Sequence, residues 1–213
     1  YSDITVFSFH PVKIITTGEG GMVLTNNGVI DASLKRLRSH GITRDESLME
    51  KGSHGGWYYE QIELGFNYRM TDIQAALGLE QLKHLDEFVI KRKEIASKYN
   101  KSLKKLPLIL PWHHPDSDSA HHLYVVQIDN LKTQHKRINF YEFMQKNGIN
   151  VNVHYIPVYK QPYYAKLNYI SEDFTQAELY YSNCLSLPIF PGLQEYEQDK
   201  VITLCTEFFK TTI

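Results

Sequence analysis

From Thr71 to about Leu106, apolar residues recur at helical spacing through Ala75, Ala76, Leu79, Leu82, Leu85 and Val89. Thr71 or Asp72 caps the start, and Pro107 and Pro111 stop the run. So long a helix is the feature that most constrains the fold, because it reads as a connection from one domain into the next. Ahead of it, residues 4–9 (ITVFSF) are β-branched and aromatic and predict a buried strand. A second short strand follows from Gly21 to Thr25, closed by the turn signal Asn26-Asn27-Gly28. Residues 30–40 predict a helix, and residues 41–64 a polar, irregular stretch ending near Trp57-Tyr58-Tyr59. Behind the long helix, the patterns predict strands at 122–128 and 149–155 and helices at 134–147, 177–184 and 195–210. Residues 185–190 read as extended. This alternation argues for an α/β architecture with a smaller α+β unit at the C-terminal end. The expected division is residues 1–90 and 91–213.

Composition removes several classes of function. The formal net charge of -1 offers no field for nucleic acid or an acidic membrane. The basic run at 91–93 is flanked by Asp86, Glu87 and Glu94, as on a solvated helix face. Cys184 and Cys205 lie in apolar surroundings without CxxC spacing, so they read as buried free thiols of a reducing cytoplasm, and no metal site is expected. No apolar run is long enough to span a membrane, and no signal peptide is visible. Fifteen Tyr and ten Phe fit broad packing surfaces or a ligand cleft. The opening Tyr1–Phe9 reads as a strand already under way, so a preceding segment is expected.

The densest chemistry lies in Ser8-Phe9-His10-Pro11-Val12-Lys13-Ile14-Ile15-Thr16-Thr17-Gly18-Glu19-Gly20-Gly21. Here a lysine follows a buried strand among small residues and hydroxyls. A neutral lysine amine attacks an aldehyde to give a Schiff base. The glycines let backbone approach a flat ligand, and Ser8 can donate to a phosphate oxygen. Taken alone, the pattern also fits an ordinary solvated lysine.

The pattern Ser-Phe-x-x-x-Lys-x-x-x-x-Gly-Glu-Gly-Gly resembles the cofactor-lysine segment of the DegT/DnrJ/EryC1/StrS family of nucleotide-sugar aminotransferases. Arg38-Ser39-His40-Gly41 resembles that family's RxHG segment. The run from Gly65 through Phe66-Asn67-Tyr68-Arg69-Met70-Thr71-Asp72-Ile73-Gln74-Ala75-Ala76 to Gly78 resembles GxNxRMxDxQAAxG. His122-Leu123-Tyr124, Val153-His154-Tyr155-Ile156-Pro157 and Leu187-Pro188-Ile189-Phe190-Pro191-Gly192 resemble its later segments, in order. The second His of HYxPxH is missing, and Tyr159 stands near its place.

The resemblance implies a pyridoxal 5'-phosphate (PLP) fold type I architecture, aspartate-aminotransferase-like: the end of the large domain plus a small α+β C-terminal domain. It implies Lys13 as the Schiff-base lysine and proton shuttle, with Ser8 and Asn67 on the cofactor phosphate, Asn67 across a homodimer interface. Arg69, His154, Tyr155 and Glu19 are the implied substrate contacts. Each has a plainer alternative: Ser8 bonding its own backbone, Asn67 entering a helix, Arg69 paired with Asp72, Glu19 solvated, His154 and Tyr155 as satisfied core groups. Phe9-His10-Pro11-Val12-Lys13 and Gly56-Trp57-Tyr58-Tyr59-Glu60 look most like the pseudaminic-acid subgroup. That subgroup moves an amino group from L-glutamate to C4 of a UDP-linked 4-keto-6-deoxy sugar. Other 3- or 4-aminotransferases of the family, and a non-catalytic remnant, are the alternatives. A family dehydratase is disfavoured, since those enzymes carry His where Lys13 stands. The family's N-terminal half supplies the partner of the pyridine nitrogen, and it precedes the lysine.

Overall fold

The computed structural model describes residues 2–167 and 171–210. The chain divides into two compact units, Tyr1–Leu85 and Asp86–Ile213.

In the first unit, β1 (Thr5–Ser8) pairs antiparallel with β2 (Gly21–Leu24), Ser8 lying opposite Gly21. Asn27, expected in a turn, is instead a helix cap. Its Oδ1 accepts the N–H groups of Val29 and Ile30 at 2.9 and 3.3 Å, so α1 (Gly28–Leu37) starts two residues earlier than its apolar pattern suggests. The polar stretch beyond is pinched at its ends by β3 (Ile42–Thr43) and β4 (Glu60–Gln61). Inside it, the Glu60 carboxylate accepts the Glu50 and Lys51 N–H groups at 2.6 and 2.9 Å and the Tyr58 hydroxyl at 3.0 Å. One side chain thus organises a loop that composition alone reads as irregular.

Helix α2 (Asp72–Leu82) opens with a reciprocal capping box between Thr71 and Gln74. The long helix expected from Thr71 to Leu106 does not run unbroken. Lys83 and His84 donate to Glu80 and Gln81, three residues back, and α3 (Leu85–Leu103) begins after them. The apolar spacing continues across this tight turn without Pro or Gly, which is why periodicity does not reveal it.

The second unit has its own core. Helix α3 buries Arg92, Ile95, Ala96, Tyr99 and Leu103 along one stripe. The stripe belongs to a core shared with a three-stranded antiparallel sheet ordered β5 (Leu108–Ile109), β6 (Tyr124–Ile128) and β7 (Cys184–Leu187). Helices α4 (Arg137–Lys146), α6 (Thr175–Asn183) and α7 (Glu195–Lys210) accompany the sheet, while the short α5 (Pro162–Ala165) is exposed. Tyr124, Val126 and Ile128 alternate inward, whereas every residue of β7 is buried. The predicted strand at 149–155 reduces to one bridge, Asn152 opposite Ser186, although Ile149 and Val151 still enter the core. Cys184 and Cys205 are free and buried, and burial pushes the Cys205 thiol up to about 12, as expected for unreactive core thiols.

Arg92 is only 4% exposed and has no carboxylate partner among the described residues. Its Nη1 donates instead to the carbonyls of His121, His122 and Ile189 at 3.2, 3.3 and 3.0 Å. Burial lowers its pKa, and three carbonyl dipoles offset part of that cost. Nearby, the Tyr99 hydroxyl donates to Pro188 O at 2.9 Å. Two motif segments, at 122–124 and 187–192, are therefore tied to α3 through their backbones.

Phe140 is fully buried and stacks on Phe208 at 4.9 Å. Phe140→Ala is expected to cost this unit about 3–5 kcal/mol in urea unfolding, against less than about 0.5 kcal/mol for Leu131→Ala at a 98% exposed site.

Candidate active site

The loop between β1 and β2 is drawn together at Phe9. The Phe9 N–H donates to Gly20 O at 2.9 Å, and the Phe9 carbonyl accepts the Thr17 N–H at 3.1 Å and the Thr16 hydroxyl at 2.9 Å. Within it, Lys13 N–H closes a turn on His10 O at 2.9 Å. The Thr17 hydroxyl donates to Glu19 O at 2.8 Å, and Thr16 Oγ1 accepts the Gly18 N–H at 2.9 Å. Thr17 is 3% exposed.

Helix α2 forms the seat for this loop. Gln74 Nε2 donates to Glu19 O at 2.9 Å. A Cβ added at Gly78 would stand 2.7 Å from the Thr17 methyl, and one at Gly20 would stand 2.3 Å from the Thr17 hydroxyl. Both contacts are closer than carbon atoms tolerate, so the two glycines are a steric requirement of Thr17's position. A second backbone contact joins the other two motifs. A Cβ at Gly65 would lie 2.1 Å from Gly41 N, and Gly41 itself has φ +71. Around it, Phe66 N–H donates to Leu37 O, His40 N–H to Phe66 O and Tyr68 N–H to Arg38 O. Segments 8–21, 38–41 and 65–78 therefore form one continuous construction.

On this frame the half-buried Lys13 side chain makes no hydrogen bond or ion pair among the described residues. The neighbouring threonine hydroxyls are spent within the loop. Ser8 Oγ has a single long contact, accepting the His10 N–H at 3.5 Å, so its own proton is available to donate. Glu19 is largely exposed, with its carboxylate 3.9 Å from His10 Nε2. Asn67 bridges to Ser39 through its backbone, and its exposed side chain makes no hydrogen bond among the described residues. It does not cap α2, because Thr71 does. Arg69 is exposed and unpaired among the described residues, and no Asp72 contact engages it. Ser8, Lys13, Glu19, Asn67 and Arg69 thus all sit on the first unit.

His154 and Tyr155 belong to the second unit. His154 Nδ1 is hydrogen-bonded to the buried Ser186 hydroxyl at 2.7 Å, and burial lowers its pKa. The Ser186 backbone is itself bridged to Asn152, with N–H to O at 2.8 Å. Tyr155 meets the His154 ring edge-on at 4.5 Å and is 69% exposed. His154 is a satisfied group on one nitrogen, with its orientation set by Ser186; Tyr155 remains open to solvent. Thr17, Gly78 and Ser186 escaped the reading of the residues by type. Gly78 did stand in the motif, but its packing partner is invisible from spacing.

The loop thus carries a lysine amine without a partner among the described residues and, five residues earlier, a strand-end serine with an uncommitted proton. The chain belongs to the DegT/DnrJ/EryC1/StrS aminotransferase family, whose profile matches residues 1–206. Its fold is that of the C-terminal part of a PLP-dependent fold type I transferase. It superposes on Helicobacter pylori PseC, described as an aminotransferase involved in the biosynthesis of pseudoaminic acid, with a TM-score of 0.85 and 31% identity, over 100% of this chain and 54% of that one. It is 38% identical to the spore coat polysaccharide biosynthesis protein SpsC of Bacillus subtilis over 98% of this chain and 54% of that relative. It is also 38% identical to the UDP-4-amino-4,6-dideoxy-N-acetyl-beta-L-altrosamine transaminase of Campylobacter jejuni over 88% of this chain and 47% of that relative. The chain therefore spans about half the length of the curated relatives it matches. Aminotransferases of this family are PLP-dependent.

Burial lowers the pKa of His154, and also that of His121, which His113 and Lys93 lower further while Asp118 opposes them. A histidine with a depressed folded pKa binds its proton more readily when unfolded, so stability falls as pH drops below the ordinary value of 6.5. The urea midpoint of the second unit is expected to be lower at pH 5.5 than at pH 7.5, both about a unit from that value. His121→Asn combined with His154→Asn should flatten that difference; an unchanged pH dependence in the double variant would place its source elsewhere.

Proposed function

We propose that the protein is a PLP-dependent aminotransferase that moves an amino group from L-glutamate to C4 of a UDP-linked 4-keto-6-deoxy sugar, in nucleotide-sugar biosynthesis of the pseudaminic acid type. The observation that carries it is the Lys13 amine, without a partner among the described residues, on a loop whose threonine hydroxyls are already engaged. The residues fit the cofactor in part. Lys13 supplies the amine that binds the cofactor aldehyde, Ser8 an unspent hydroxyl for its phosphate, and Asn67 an unspent amide. When bound, PLP supplies an electron sink for the carbon that exchanges its amino group. Lys13 would also serve as the proton carrier of the exchange, as a mobile amine within hydrogen-bond reach does. Arg69 offers two parallel donors to a carboxylate or diphosphate, and Glu19, His154 and Tyr155 are the remaining substrate contacts. The Ser186 hydroxyl fixes the His154 ring in this role.

One cofactor requirement is not met by the loop. Its single carboxylate, Glu19, lies against His10, so the acid that keeps the pyridine nitrogen protonated comes from the half of the family fold this chain does not match. Asn67 acts across a homodimer interface, which makes each active site shared. No helix among the described residues is long and apolar enough to cross a membrane, in keeping with a cytoplasmic enzyme acting on a nucleotide sugar. A second reading is favoured by SpsC, which matches more of this chain than the altrosamine transaminase at the same identity. In it, the same chemistry serves a different nucleotide sugar at C3 or C4.

Borohydride reduction with PLP, followed by peptide mass spectrometry, tests the assignment. It should be run on the chain itself and on a fusion carrying the unmatched half of SpsC ahead of it. The label is expected on Lys13 and lost in Lys13→Ala; labelling spread evenly over surface lysines in both proteins would contradict it. Gly78→Ala provides a second check. Alanine ordinarily favours a helix interior by about 1 kcal/mol over glycine. Here the added methyl collides with Thr17, so labelling of Lys13 should fall by at least ~10-fold. Thr17→Ser in the same protein removes the opposing methyl, keeps the hydroxyl bond to Glu19, and should restore the label.

A further inference from the structure

The stretch that carries His154 and Tyr155 is the part of the second unit least supported by its core. Between Val151 and Asn183 no described residue is buried, and of the partly buried apolar side chains there only Val153 packs against the core. Among the described residues, no hydrogen bond reaches the backbone of His154, Tyr155 or Ile156. Tyr155, Ile156 and Val158 are 69%, 49% and 60% exposed. Neither burial nor a strand ladder therefore fixes the course of this segment, and side chains at its ends must do so.

The near end is the bond from His154 to the Ser186 hydroxyl. The far end is a cluster around Glu178 of α6. Oε1 of its carboxylate accepts the Tyr159 hydroxyl at 2.9 Å, and Oε2 accepts the Lys160 ammonium. The Tyr159 ring stacks on Phe174 at 4.4 Å. Lys160 also stands 5.4 Å from the centre of the Tyr181 ring, and Arg137 of α4 stands 5.1 Å from the same ring. Cations that share one ring repel each other, and Arg137 has no carboxylate partner among the described residues. Glu178 is the one carboxylate among these groups, so its removal leaves Lys160 with only the ring it shares with Arg137. The turn Val158–Lys160 is closed by Lys160 N–H on Pro157 O at 2.9 Å and Gln161 N–H on Val158 O at 3.0 Å. This turn and the fixed φ of Pro157 pass a displacement of Lys160 on to Ile156 and Tyr155.

We propose that Glu178 is a positioning residue of the candidate site: it holds the far end of segment 154–160 and so sets where Tyr155 meets the sugar. The inference rests on the proposed function, in which Tyr155 is a substrate contact. An exposed phenol, with an apolar ring and a polar hydroxyl, suits the face and hydroxyls of a sugar better than a small amino donor. Tyr159 is correspondingly no ligand contact, since its ring and its hydroxyl are both engaged within the unit.

Trypsin cleavage after Lys160 reads the anchor directly, with cleavage after the exposed Lys51 of the first unit as the internal reference. In this chain Glu178→Ala should speed cleavage after Lys160 by at least ~10-fold relative to Lys51, and Tyr159→Phe, which keeps the ion pair, by ~2–5-fold. The fusion that tests the proposed function supplies the kinetics, with a UDP-linked 4-keto-6-deoxy sugar and L-glutamate as its substrates. There Glu178→Ala should lower kcat/KM for the sugar by at least ~10-fold and leave that for L-glutamate within ~2-fold. In a Tyr155→Ala background the same substitution should have no further effect on the sugar, because it acts through Tyr155. A purely structural role lowers both kcat/KM values together, and that outcome would overturn the proposal. So would unchanged cleavage after Lys160 in Glu178→Ala, or additive losses in the double variant. Cofactor labelling of a lysine other than Lys13 would sink the proposed function and leave the cleavage result standing.

Discussion

The candidate site depends on the contact between the Thr17 methyl and the bare backbone of Gly78. Thr17 is the one buried residue of the lysine loop, and it is placed there by Phe9 on one side and α2 on the other. With Thr17 seated, the loop closes on its own hydroxyls and on Gln74. A protein interior packed at crystal-like density tolerates no extra methyl at such a point. Gly20 and Gly78 are therefore steric consequences of one threonine, and the Lys13 amine is left without a partner among the described residues while the threonine hydroxyls beside it are engaged.

The second unit rests on a different principle. Its core is conventional and aromatic, and it holds a buried guanidinium without a counter-charge among the described residues. Arg92 is tolerated because three carbonyls converge on it, and this convergence ties two motif segments to α3. The His154–Ser186 pair uses the same economy. A hydroxyl on a fully buried strand orients a ring next to a solvent-exposed tyrosine, so a rigid element supports a polar group that borders solvent.

Much of this was legible in the residues. The strands β1, β2 and β6, the capped start of α2 and the α7 amphipathic helix follow from composition, period and capping chemistry, but β1, expected to be buried, is exposed along its whole length. The turn at Lys83 and His84 was not, because it interrupts hydrogen bonding while leaving the apolar spacing intact. The strand expected at 149–155 was not, because burial there comes from packing against the core and only Asn152 reaches the ladder. Asn27 read as a turn residue for the same chemistry that makes it a cap: a short side chain that bonds nearby backbone N–H groups. At the site, lysine and serine could be named from type and order. The contacts that seat them, Thr17 on Gly78 and Gly41 on Gly65, join residues far apart in the chain, and spacing carries no record of them.

Lys13, and no other amine, is the group proposed to hold the cofactor. Visible circular dichroism of the protein carrying both halves of the fold, titrated with PLP, addresses it most directly, because a cofactor held covalently in a chiral site gains a signal that free cofactor lacks. The account predicts an induced band in the parent protein and in Arg69→Ala, and its loss in Lys13→Arg, which keeps the charge and removes the nucleophile. An induced band that survives Lys13→Arg would contradict it.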